Sequence, residues 1–252
     1  MTATIVVTGG TGRIGRPAVE RLHEAGHTVR VLTRHPGQDT PGITHVQGDT
    51  VAGSGLDRAF MGAATVVHLA GGARGDAVAA QHVAAAARAA GVGHLLLISV
   101  IGADRMPIGY FRAKREAEEN IAASGVPWTV LRVAQLHDFV LPMARFLASV
   151  PFAPRHLRFE PIDVAPVADR LAALAGAPAA GLVPDLAGPE VLGVDVLLAQ
   201  YRAAHGKQPR RSAGMPLAGA IGRAYRNGDN LAGSDARRAG ISWREFLARR
   251  AD

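Results

Sequence analysis

The chain has 252 residues, 48% of them apolar, 19% charged and 5% aromatic, enough to bury the core of one α/β domain with a small lobe. It has no cysteine, which excludes disulfides, thiolate metal sites and cysteine nucleophiles, and no uncharged apolar run approaches the roughly 20 residues of a membrane span. The net charge of +7 is carried by residues 201–252, where 11 basic side chains face 4 acidic ones.

In chain order, Thr4–Thr8 (TIVVT) reads as a short buried strand that begins without a preceding basic segment or cleavage site, so a soluble cytoplasmic protein is expected. Arg13–Ala25 reads as a helix closed by Gly26, Thr28–Thr33 as a second strand and Ile43–Gln47 as a third. Strands follow at Thr65–Ala70, His94–Val100 and Trp128–Val133, with helices over Asp76–Ala90 and Gly109–Ser124 between them. Continuous Val/Ile/Leu strands alternating with helices predict a Rossmann-type doubly wound parallel sheet covered on both faces. Beyond residue 135, prolines 142, 151, 154, 161 and 166 predict a looser region, with helices resuming at Val164–Ala175, Gly193–His205 and Arg237–Arg249. The expected organisation is a sheet core over 1–135 and a small C-terminal substrate lobe over 136–252, packed on the same sheet without a core of its own.

The strongest motif is Thr8-Gly9-Gly10-Thr11-Gly12-Arg13-Ile14-Gly15, between the first strand and the first helix. That is the context a dinucleotide-binding turn requires. Gly9 suits the positive φ of a tight turn, Gly12 lets backbone approach a pyrophosphate, and Gly15 lets helix and strand pack closely. The helix start then offers N–H groups and a positive dipole end to the phosphates, with Thr11, Arg13 and Ile14 on the turn. An NAD-selective site places an acid at the end of the second strand; here Thr33 and Arg34 stand there. Arg34 can pair with a 2′-phosphate, with Arg13 assisting, so NADP(H) is expected ahead of NAD(H). Asp49, after the third strand, is placed either to approach the adenine or to cap its own turn.

Tyr110 and Lys114 share a helical face at i, i+4, in a chain with three tyrosines and two lysines. An ammonium beside a phenol favours the phenolate, and such a tyrosine can pass a proton to or from an alcohol or carbonyl during hydride transfer. The lysine can also hydrogen-bond the nicotinamide ribose. A surface Tyr–Lys pair is the plain alternative.

On TGGTGRIG, Arg34, the HLAGG of residues 68–72, Ser99 in LLLISVIG and YFRAK at 110–114, the first 135 residues resemble the short-chain dehydrogenase/reductase superfamily. GVPWTVLR (125–132) and LAGPE, ending at Glu190, are similar to its atypical NmrA-like NAD(P)-binding branch. The resemblance implies a Rossmann NAD(P)-binding core with Ala70 and Gly71 against the cofactor. It also implies Tyr110 as acid/base, Lys114 as its electrostatic and ribose-binding partner, and Ser99 as a hydrogen-bond donor to substrate.

Gln135 and His137 follow the sixth strand at its carboxyl end, where open α/β sheets bind ligands. They are candidate substrate contacts, His137 alternatively being a hydrogen-bonded histidine at a helix start. The histidines lack metal-ligand spacing, so no metal is expected. The function expected is NADP-dependent hydride transfer to or from a small carbonyl, alcohol or enone. The alternatives are a catalytically silent redox sensor or regulator and an epimerase or dehydratase that retains its cofactor. The expected partner is a small-molecule substrate, with no membrane; the basic tail is read as solvated surface rather than a nucleic-acid site, and a homodimer is left open.

Overall fold

The computed structural model describes residues 3–72, 75–208 and 213–250. The first half carries β1 (Thr4–Thr8), α1 (Gly15–Glu24), β2 (Thr28–Thr33), β3 (Ile43–Gln47), α2 (Leu56–Phe60) and β4 (Thr65–His68). Next come α3 (Asp76–Ala89), β5 (His94–Val100), α4 (Gly109–Ala122), β6 (Trp128–Val133) and α5 (His137–Ser149). The remainder carries β7 (Phe152–Pro154), β8 (Arg158–Phe159), α6 (Val164–Ala175), β9 (Gly181–Leu182), β10 (Leu186–Ala187), β11 (Leu192–Gly193), α7 (Val194–Ala204), β12 (Ala213–Met215), α8 (Gly219–Asn227), β13 (Arg237–Arg238) and α9 (Trp243–Ala248). These elements form two compact units: residues 1–99, 112–132 and 164–183, and residues 100–111, 133–163 and 184–252.

The first unit is the expected Rossmann sheet. Its strands run β3-β2-β1-β4-β5-β6, with β9 parallel on β6, the doubly wound order that reverses between β1 and β4. β1 pairs parallel with β2 in register Thr4 to Thr28 and with β4 in register Ile5 to Thr65. Val6, Val66, Leu95 and Val130 bury one sheet face under Phe60, Ala80, Val83 and Ile121 from α2, α3 and α4. α1 and α6 pack on each other, burying Ala18, Val19 and Leu22 from one and Val167, Ala168 and Leu171 from the other. Arg21 Nε lies 2.7 Å from Asp169 Oδ1 and links the pair at its solvent edge.

The second unit does hold an apolar core of its own, against the expectation: Val140, Leu147, Leu197, Tyr201, Trp243 and Phe246 cluster from α5, α7 and α9. β10 pairs with Val133 at the end of β6 and with β13 on its other side; β8 and β11 form an antiparallel pair, β7 and β12 a parallel one. Several boundaries differ from the reading of the sequence. α1 starts at Gly15 rather than Arg13, because residues 9–14 are used in the turn, and β4 ends at His68 rather than Ala70. The expected helix over 237–249 is instead a strand, Arg237–Arg238, followed by a short helix from Trp243. The helix start is fixed by a capping box in which Ser242 Oγ accepts from Glu245 N–H and Glu245 Oε2 accepts from Ser242 N–H at 2.8 Å. The region expected to be loose holds the 13-residue α5. Pro142 lies inside it, removing the N–H that would bond the Asp138 carbonyl, while Pro166 sits in the first turn of α6, where no N–H partner is needed.

Candidate functional site

β1 delivers the chain into the glycine turn at the middle of the sheet, and each glycine there answers a steric demand. Gly9 has φ +71°, and its carbonyl accepts the Gly12 N–H at 2.9 Å. A Cβ on Gly9 would lie 2.6 Å from Ala70 N, and one on Gly15 would lie 2.1 Å from Gly9 O and 2.6 Å from Gly10 Cα. Gly15 thus seats the first turn of α1 directly on the loop. Gly10, which the spacing rule passes over, is required by β2: its Cβ would meet Val31 Cγ1 at 2.8 Å. Arg16 Nε donates to the Thr11 carbonyl at 3.0 Å, bracing the turn from the helix. Ile14 is the residue that caps α1.

This turn lines a cavity of about 600 Å³, together with Thr33, Arg34, Asp49, Leu69, Ala70, Gly71 and Asp76. A cavity of that size is within the range of pockets that bury a cofactor. Arg34 is exposed at the end of β2 and also borders an adjoining cavity of about 570 Å³ lined by Asp49 and Arg58. Asp49 Oδ1 accepts the N–H of Val51 at 2.7 Å and of Ala52 at 3.3 Å, so this carboxylate caps its turn while bordering the cavity. Arg13 is an exposed residue of the turn.

The other end of the cavity is built after β4. The Leu69 and Ala70 N–H groups both bond to Thr8, at the carbonyl (3.1 Å) and Oγ1 (3.3 Å). Thr8 Oγ1 is also 2.6 Å from His68 Nδ1. Burial, and secondarily the Lys114 ammonium, push His68 down to about 4, so the ring is neutral at pH 7. Lys114 is 8% and Asp76 4% exposed, with Nζ 2.9 Å from Oδ2. Asp76 Oδ1 accepts the Gly72 N–H at 2.7 Å. Gly71 lies against this pair, since a Cβ there would be 2.8 Å from Lys114 Nζ. Asp76 is the residue the sequence reading missed. Its one signal is that it is the only carboxylate between Asp57 and Asp104.

Tyr110 lies on the first turn of α4, one turn ahead of Lys114, 40% exposed, with its ring edge-on to Phe111 at 5.4 Å between centroids. Ser99, at the end of β5, is 5% exposed, and its Oγ has no hydrogen-bond partner among the described residues. In the second unit the Gln135 carbonyl accepts the Ile162 N–H at 3.0 Å, while its side-chain Oε1 is buried without a partner among the described residues. His137 is 1% exposed: Nε2 donates to the Ile241 carbonyl at 3.0 Å and the ring stacks on Phe246 at 4.7 Å. Burial lowers its pKa from the ordinary value. The geometry therefore gathers the glycine turn, Arg34, Asp49, Ala70, Gly71 and Lys114 in the first unit, whereas His137 is held in the apolar core of the second.

Residues 9–173 match the protein-family model for NAD(P)H-binding proteins. The chain is 35% identical over 201 residues to the (4-alkanoyl-5-oxo-2,5-dihydrofuran-3-yl)methyl phosphate reductase of Streptomyces griseus, covering 75% of this chain and 69% of that protein. It is 30% identical over 160 residues to quinone oxidoreductase 2 of Escherichia coli, covering 60% of this chain and 54% of that relative's length. The crystal structure of the Escherichia coli NADPH-dependent quinone oxidoreductase complexed with NADPH shares the fold, with a TM-score of 0.82 at 20% identity over 98% of this chain and 100% of that one. Among the described residues, no helix is long and apolar enough to cross a membrane.

Proposed function

The chain belongs to the NAD(P)H-binding family, and from that membership we propose that it is an NADP-dependent oxidoreductase of the short-chain dehydrogenase/reductase type, in its NmrA-like branch, acting on a small carbonyl, alcohol or enone. One observation carries the reading: a single cavity is lined by the glycine turn after β1, by Arg34 after β2 on one side of it and by Gly71 and Asp76 after β4 on the other, with the Lys114 ammonium held against Asp76. The residues fit the cofactor. The absence of a Cβ at Gly9 and Gly15 lets the turn pack directly on Ala70 and on the start of α1, the close-packed turn at a helix start that a diphosphate site uses, and Arg34 supplies a guanidinium for a 2′-phosphate where an NAD site would carry an acid. That the two relatives are named as a reductase and a quinone oxidoreductase supports the reaction class.

When bound, the nicotinamide supplies or accepts the hydride. The protein's part is to hold and to move a proton. The turn's backbone N–H groups and the α1 dipole hold the diphosphate. Lys114 donates to the nicotinamide ribose. The Tyr110 phenol gives its proton to the oxygen of a reduced carbonyl, or takes it back in oxidation, and the Ser99 hydroxyl donates to that same oxygen. Gln135 is a further candidate substrate contact; His137, with its Nε2 committed to the Ile241 carbonyl, is a packing residue of the second unit.

A second reading, an NADP-binding redox sensor without turnover, is favoured by the Asp76–Lys114 contact. A carboxylate 2.9 Å from the ammonium offsets much of the charge that would acidify Tyr110. The deciding experiment measures NADPH binding by calorimetry beside NADPH consumption against a panel of quinones, enones and aldehydes. Tyr110→Phe should abolish most turnover and leave NADPH affinity within twofold. Tight binding with no turnover on any member of the panel transfers the assignment to the sensor, and absence of binding removes both.

A further inference from the structure

Two opposite charges are buried beside Gly71, where the cavity meets the start of α3. Asp76 opens α3 and Lys114 stands on α4. The two helices are tied by the Asn120 side-chain amide, which donates to the Ala77 carbonyl at 2.9 Å, and by the packing of Ala80, Val83, Ala117 and Ile121. Asp76 Oδ1 is committed to Gly72 N–H at 2.7 Å. Oδ2 is fully buried and meets the Lys114 ammonium at 2.9 Å, so each oxygen of this carboxylate has a partner, one fixing Asp76 on Gly72 and the other fixing the ammonium. Asp76 lines the cavity, and Gly71, the residue against which both charged groups press, lines it too.

We propose that Asp76 is a cofactor-positioning residue: anchored through Oδ1 on the Gly72 N–H, it fixes the Lys114 ammonium beside Gly71 at the cavity wall, so that the ammonium's remaining N–H groups clamp the diol of the nicotinamide-side ribose. The proposal rests on the reading of the cavity as an NADP(H) site. Its chemical basis is that an ammonium carries three N–H donors and the carboxylate takes one of them, which holds the side chain in one place and leaves charged donors, of the stronger kind, for the two oxygens of a vicinal diol. Stability alone is a poor reason for the pair, because burying two ions gains little net free energy, whereas removing one of them leaves the other uncompensated.

The test uses the full-length protein and two probes. NADPH carries the second ribose; adenosine 2′,5′-bisphosphate carries the adenine half and the 2′-phosphate but not that sugar. Asp76→Asn and Lys114→Met should each weaken NADPH about tenfold to a hundredfold, the loss of one charged hydrogen-bonding partner, and leave the bisphosphate within twofold. The double variant should be no weaker toward NADPH than the worse single one, since the two act as a unit. Asp76→Glu should recover part of the loss. Equal weakening of both probes by Asp76→Asn, or unchanged NADPH affinity, overturns the assignment, and so do strictly additive losses. Wild-type protein that binds neither probe overturns the cavity reading itself. Should Asp76→Asn alone fail to fold around an unpaired Lys114, the double variant decides, because it leaves no unpaired ion: weakened NADPH with intact bisphosphate binding upholds the clamp, and equal affinities for wild type and variant refute it.

Discussion

Replacing Gly15 by alanine probes the glycine turn at its tightest point. The added Cβ would stand 2.1 Å from Gly9 O, 2.6 Å from Gly10 Cα and 2.8 Å from Gly10 C. All three are backbone atoms, so no rotamer change relieves the clash. Reaching even 3.0 Å from the oxygen requires the helix start and the loop to part by 0.9 Å, the difference between 3.0 and 2.1. Overpacking of this kind costs about 1–3 kcal/mol, which for a chain of this size lowers Tm by roughly 2–12 °C. The same displacement stretches an N–H···O–P hydrogen bond of about 2.9 Å beyond bonding distance. One such bond to a charged acceptor is worth about 1.5–3 kcal/mol, so NADPH should bind about tenfold to a hundredfold more weakly. The control is Gly62→Ala: Gly62 has φ +69° with nothing within 4 Å of its Cβ, so it carries backbone strain without a clash. The two variants are compared by thermal melting and by NADPH calorimetry. Both should melt lower, and only Gly15→Ala should lose affinity. A Gly15→Ala protein that binds NADPH as tightly as wild type would refute the placement of the diphosphate at this turn.

Further outcomes are open to measurement. Arg34→Ala should weaken NADPH at least about tenfold more than NADH, since a guanidinium–phosphate pair is charge-assisted; an unchanged ratio removes Arg34 from 2′-phosphate recognition. Tyr110→Phe should lower turnover about a hundredfold or more, the contribution of a general acid, and a variant of equal rate excludes the phenol from the chemistry. His68 sets a pH dependence: its pKa falls from 6.5 when unfolded to about 4 when folded, so the unfolded chain takes up a proton first. The stability that follows is complete above pH 6.5 and is lost as pH falls toward 4, by at most about 3 kcal/mol. Urea midpoints at pH 7 and 4.5 should show a larger drop for wild type than for His68→Gln, and parallel drops would sink the argument.

The sheet was legible because its central strands β1, β4 and β5 are buried almost throughout and read as apolar runs, while the more exposed β2 and β3 still carry Val, Leu and Ile: five of the six, β1, β2, β3, β5 and β6, lie where TIVVT, TVRVLT, ITHVQ, HLLLISV and WTVLRV place them. The glycine turn was legible for the opposite reason, that its φ and clearance requirements admit almost no other residue. The second unit was not legible. Its strands are two or three residues long and exist only because a distant partner pairs with them, as Arg237–Arg238 does with Leu186–Ala187. α5 was hidden by Pro142, whose cost is outweighed by the burial of Val140, Ala144 and Leu147 on the cluster around Trp243. Asp76 was hidden because an acid in the first turn of a helix is ordinary; only the fold brings it to Lys114, 38 positions along the chain.

The interleaving of the two units limits what can be cut or exchanged. The backbone passes from one to the other five times, at residues 99, 111, 132, 163 and 183. A fragment truncated after β6 would lack α6 and leave bare the flank of α1 that Val167 and Leu171 cover. Chimaeras with a related reductase are therefore best built by swapping inserts at those crossing points, each graft keeping α6 with the sheet it shields, rather than by a single splice in mid-sequence.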